Sequence, residues 1–162
     1  MAVLVNSGRA AAAEAIKAMP IHMAWGSGDP AWDGLGAPPT VPLTDTGLTS
    51  EIGRRVVTQS LFCTPNSTGE IVVPQGRFTV SVEPTRHLYM RFAFGYEDAP
   101  ASTIREIGIF VGTVTKNTLP PGQEYFIPSQ LNDSGLLLVA ERINKLERSA
   151  SIRQQFEFVV TF

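Results

Sequence analysis

The alternation at the end of the sequence restricts the fold more than any other feature. Ile152, Gln154, Phe156, Phe158, Val160 and Phe162 fall on one side of an extended chain. Arg153, Gln155, Glu157, Val159 and Thr161 fall on the other. A period of two is the signature of a strand. A strand this apolar has to be hydrogen-bonded into a sheet, because left open it would aggregate. The same period recurs at 87–94, where Leu88, Met90, Phe92 and Phe94 oppose His87, Tyr89, Arg91 and Ala93, and at 104–113, where Ile107, Ile109 and Val111 share a face. Residues 54–63 read as a further strand. Ile71-Val72-Val73-Pro74 and Phe78-Thr79-Val80-Ser81-Val82 flank Gln75-Gly76 as the arms of a hairpin. Residues 135–140 read as a short buried strand or a helical turn, and Ile21-His22-Met23-Ala24-Trp25 as a short strand. Strands at roughly regular spacing predict a mainly β, antiparallel, β-sandwich-like domain.

One helix precedes the strands. Arg9-Ala10-Ala11-Ala12-Ala13-Glu14-Ala15-Ile16-Lys17-Ala18-Met19 consists of strong helix formers, with Asn6-Ser7-Gly8 as capping residues and Pro20 as the stop. The expected span is about 8–19. Its apolar stripe is thin, so it has to dock on something to persist. Between this first helix–strand segment and the rest lies a loop at about 26–46, dense in Gly and Pro and carrying Trp32, with Trp25 just before it. It is too long for a simple connector, and reads as an ordered surface loop or as an arm that orders on binding. The β domain is expected at about 50–162.

The chain of 162 residues fits a single domain, 1–162. Gly 14 and Pro 12 suit a fold with many turns. Charged residues make up 17%, below the usual ~25%, as in a protein whose faces are covered by partners or in a small soluble domain. The net charge is −2 and Arg54-Arg55 is the only adjacent basic pair. That argues against nucleic acid as a partner, since phosphate contacts need a basic stripe. No run of 18 apolar residues suggests a membrane span. The N-terminus lacks a basic region before its short apolar stretch, so synthesis in a cytoplasm is expected. Cys63 is alone in an apolar run and reads as a small buried hydrophobe. His22 and His87 lie far apart in apolar segments. Neither a metal site nor a cofactor is expected.

Short motifs point away from chemistry. Gly26-Ser27-Gly28-Asp29-Pro30-Ala31 satisfies a dinucleotide-binding pattern in form only. Gly34, Gly36 and Pro38-Pro39 stop the helix that pattern requires. Asp29, Asp33 and Asp45 lack calcium-loop spacing. Glu97-Asp98 is an acidic pair without a nucleophile or oxyanion donor nearby, and no catalytic set is expected. Contact chemistry is better represented. Trp25 reads first as core and second as an interface residue, while Trp32 fits either role. Arg54-Arg55 and Arg105-Glu106 place charges within strands, on a solvated face or in ion pairs that set register or partner choice.

The order of these features resembles a known family. An alanine-rich helix is followed by His22-Met23-Ala24-Trp25-Gly26-Ser27-Gly28-Asp29. Then come Leu48-Thr49-Ser50-Glu51-Ile52-Gly53-Arg54-Arg55 and Ile104-Arg105-Glu106-Ile107-Gly108-Ile109-Phe110. Together they resemble the N-terminal, baseplate-attaching domain of tail-fibre proteins of contractile-tailed bacteriophages, and the chain as a whole looks like a stand-alone prophage tail protein of that type. Fibres of that family continue into a trimeric shaft and tip, so the expectation here is the anchoring module alone. The resemblance implies a virion protein, assembled in the host cytoplasm, that joins a tail fibre to the baseplate or tail tip. It also implies homo-oligomeric copies around the tail axis. Expected contact residues are Trp25, Asp29, Trp32, Arg54, Arg55, Arg105 and Glu106. The rival readings are a receptor- or carbohydrate-binding β-domain with Trp32 as sugar platform, and a glycan hydrolase using Glu97 and Asp98.

Overall fold

Leu88, Met90, Phe92 and Phe94 are each completely buried, so the alternation at 87–94 is that of a strand whose apolar face is withdrawn from water. The computed structural model describes residues 1–162. It contains one α-helix, α1 (Asn6–Lys17), and twelve strands: β1 (Ile21–Gly26), β2 (Glu51–Val56), β3 (Gln59–Pro65), β4 (Ile71–Val73), β5 (Gly76–Ser81), β6 (His87–Phe94), β7 (Thr103–Val111), β8 (Val114–Thr115), β9 (Tyr125–Phe126), β10 (Leu131–Asp133), β11 (Leu136–Glu147) and β12 (Gln154–Thr161). The class is the expected one, mainly β with antiparallel sheets and one helix.

Residues group into two compact units. The first comprises Met1–Met19, Val57–Ala93 and Gln155–Phe162; the second comprises Pro20–Val56 and Phe94–Gln154. The chain therefore passes between them four times, at 19/20, 56/57, 93/94 and 154/155.

The first unit is built on a five-stranded sheet of order β12-β6-β3-β5-β4. Cys63, Ile71, Val73, Phe78, Tyr89 and Val159 form its cluster, with Leu61 packed against it. The hairpin turns at Pro74-Gln75, where Val73 pairs with Gly76. On β12 the buried side chain is Val159. Phe156, Phe158 and Val160, on the opposite side, are half-buried. α1 begins two residues earlier than expected. Asn6 lies inside the helix and Val5 is its N-cap, without a side-chain cap. Lys17 closes its last turn with the ammonium over the Phe62 ring, 5.3 Å from the centroid.

The second unit is built on a sheet of order β11-β7-β1-β2-β9. β1 is central, pairs antiparallel with β2 and β7, and is buried along its whole length. Residues 54–63 form two strands rather than the single one expected. β2 stays in this sheet and β3 enters the other. At the break, Val56 N donates to Glu124 O and Thr58 N to Arg91 O, so amides two residues apart serve different sheets. β11 runs to Glu147, well beyond the short strand expected at 135–140.

Candidate protein-interaction site

All seven expected contact residues lie in the second unit. Five are on the adjacent strands β1, β2 and β7, and two are on the loop leaving β1. Three are committed to its interior. Trp25 is fully buried, stacked on Phe94 at 3.7 Å between centroids, and its Nε1 donates to the Tyr125 hydroxyl at 3.0 Å. Burial pushes the Tyr125 hydroxyl up to about 12, although the Trp25 bond opposes this. Arg54 is also fully buried. Its Nε and Nη2 grip both Glu51 carboxylate oxygens at 2.8 and 2.7 Å. Nη1 donates to Thr113 Oγ1 and Ser134 O at 2.8 and 2.7 Å, and the guanidinium lies 4.0 Å from the Phe110 centroid. Glu106 accepts the backbone amides of Thr49 and Ser50 at 3.0 and 2.7 Å.

These contacts join the same segments that carry the family resemblance. Glu51 and Arg54 close on each other, Arg54 covers Phe110, and Glu106 ties β7 to residues 49–50. A Cβ on Gly26 would stand 2.4 Å from Glu106 Oε1 and 2.6 Å from Ser50 O, so only glycine lets this carboxylate approach. The signature is a lock across three strands.

The other four residues organise the surface. Asp29 accepts from Ala31 N at 2.9 Å and starts a short 3-10 turn, Pro30–Gly34, with Pro at its first position. Arg105 holds both oxygens of Asp33 at 2.7 and 2.8 Å and donates to Ser27 O at 3.0 Å. That bidentate bond lowers the Asp33 carboxyl below its usual range and raises Arg105. Arg55 binds Asp98 at 2.8 Å and also Glu124. Asp98 accepts Gly95 N as well, at 2.6 Å, so this acid of the Glu97-Asp98 pair is a structural acceptor. Trp32 rests on Gly28, whose φ of +57 suits glycine. Its ring is covered by the Arg142 guanidinium at 4.6 Å.

Arg142 and Asp33 carry much of this arrangement; the sequence did not single out Arg142, and Asp33 drew notice there only as a loop carboxylate without calcium-loop spacing. Arg142 also donates to Thr40 O at 3.0 Å and lies 3.5 Å from Asp45, so one residue of β11 fastens three points of the loop. The loop is thus clasped onto β7 and β11. Leu43 nevertheless stands fully exposed on it and Leu35 is half exposed. Beside Leu43 runs a groove lined by Val41, Pro42, Leu137 and Val139.

A family model described as "Baseplate wedge 3 tail fiber network component" matches residues 1–162. The chain belongs to this family. As a baseplate wedge 3 tail fiber network component it is a structural part of the bacteriophage baseplate, located in the phage tail with other tail proteins as partners. Among curated proteins none matches it. No helix is long and apolar enough to cross a membrane.

Proposed function

We propose that this baseplate component is the joint at which a tail fibre is held, and that the 26–46 loop is its docking element. The observation that supports this reading most is the pairing of a tied-down loop with unsatisfied apolar tips. Arg105 and Arg142 fix the loop at Ser27, Trp32, Asp33, Thr40 and Asp45, while Leu35 and Leu43 remain in solvent. A preordered protrusion has already lost its conformational entropy, so more of the contact energy appears as affinity. Apolar anchors between polar clasps match the layout of a hot spot with its rim.

The carbohydrate reading is weaker, because the Trp32 face that would stack on a sugar is occupied by Arg142. The test is electron microscopy of particles carrying Leu43→Asp. Baseplates should assemble with fibre occupancy sharply reduced, and the purified variant should keep wild-type stability because Leu43 contacts solvent. Full fibre occupancy with Leu43→Asp and Leu35→Asp combined would refute the assignment.

A further inference from the structure

The two five-stranded sheets have four edges, and three are protected. β4 has three residues and β9 two, too short to template a partner. β11 is broken by two register shifts and lies against Val41, Pro42, Leu43 and Asp45 of the loop. β12 lacks these safeguards. It is eight residues long, has no Pro, Gly or Lys, and pairs on one side only, with β6. It closes the sheet order with no strand beyond it, and an uncovered sheet edge is the feature proteins usually blunt.

The same unit carries a matching segment. Residues 1–5 precede α1 outside any helix or strand; Val5 is extended at φ −79 and ψ 167, Leu4 O accepts Arg9 Nε at 3.2 Å, and the backbone amides of 1–5 bond no other backbone group. Val3, Leu4 and Val5 are 77%, 57% and 61% exposed. Alternation puts Val3 and Val5 on one side and Ala2 and Leu4 on the other.

We propose that residues 1–5 of one copy add as an antiparallel strand to the open edge of β12 in a second copy. With Val3 opposite Val160, Val5 falls opposite Phe158 and Leu4 opposite Val159, so apolar meets apolar on both faces. Charge does not oppose this. The segment has no charged side chain, and Glu157 is the only charged residue of β12. Segment and edge are different surfaces, so the contact is heterologous, and repeating it builds a ring or an open chain. The inference does not depend on the fibre-joint reading, since it concerns the purified chain alone.

Sedimentation of the full chain over a concentration series should show association, and Val3→Lys should weaken it about tenfold or more. Val3→Cys and Val160→Cys chains, mixed and oxidised, should give a disulfide-linked heterodimer, because directly opposed strand residues meet disulfide geometry. Val3→Cys mixed with Val72→Cys, an exposed position on β4, should not. The native Cys63 is buried and stays out of the exchange. A chain that remains monomeric at all concentrations, association indifferent to Val3→Lys, or equal cross-linking to Val72→Cys would overturn the proposal. Protected amides at Val3–Val5 in a monomer would place the segment on its own β12 and overturn it as well.

Discussion

A buried guanidinium is tolerated only when its N–H groups find acceptors. Arg54 meets that condition with Glu51, Thr113, Ser134 and the Phe110 ring. Arg54→Met keeps the volume but strands the Glu51 carboxylate, and should cost about 3–5 kcal/mol in urea unfolding. Arg54→Lys should recover little, because an ammonium cannot make the two-pronged bond. His22 makes a second prediction. It is buried against Phe126, its Nδ1 has no protein partner, and burial, with Arg54 adding, lowers its pKa from 6.5 to about 4. As pH falls from 6.5 to 4 the unfolded chain takes up a proton that the folded chain refuses. Stability should therefore drop across that window by up to about 3 kcal/mol, and His22→Gln should flatten the slope. His87, lowered in the same direction by burial, adds to the trend. At this scale the sequence revealed which charges mattered, because Arg54, Arg105 and Glu106 interrupt apolar strands. It did not reveal that Arg54 and Glu106 point inward. Glu51 is only three residues from Arg54, but Thr113 and Ser134 lie 59 and 80 residues away and the amides that Glu106 accepts 56 and 57, beyond the reach of any local spacing.

The loop and the strands around it differ in how far their sequence discloses them. β1, β6 and β7 were legible because unbroken patterning survives along each of them. β11 was read only at its apolar start. Register shifts at Leu137/Val139 and Arg142/Leu146 break the period of two, so its charged second half looks like loop. The division between β2 and β3 was hidden for the opposite reason. No glycine or proline marks the point where the chain changes sheets, between Val56 and Gln59. The loop at 26–46 was visible from its Gly and Pro content, but its fastening was not, because Arg142 comes from that unread half of β11. Arg142→Ala should leave the unfolding midpoint nearly unchanged while raising amide exchange and protease cleavage across residues 35–46. Trp32 emission should shift red as its ring loses cover. Gly26→Ala should act on the whole unit instead, because its methyl group forces the Glu106 carboxylate away from the Thr49 and Ser50 amides. A loss of about 1–3 kcal/mol in chemical denaturation is expected for the orphaned bonds.

Across the whole molecule, neither unit is a continuous stretch of chain. The first draws on three separate segments and the second on two, so composition along the sequence carries no boundary to read. β12 shows the dependence most directly. It arrives after the second unit is complete and pairs beside β6, whose Leu88, Met90 and Phe92 are fully buried. A chain shortened by residues 154–162 should therefore lose protease resistance in 57–93 and expose apolar surface that binds a hydrophobic dye. Unchanged resistance there would mean that β6 is held without its neighbour. The interleaving also bears on inheritance. Any exchange of DNA with a dissimilar relative that breaks within codons 20–154 would combine mismatched pieces of both units. Recombination between dissimilar relatives should therefore preserve the fold best where the gene moves as one uninterrupted cassette.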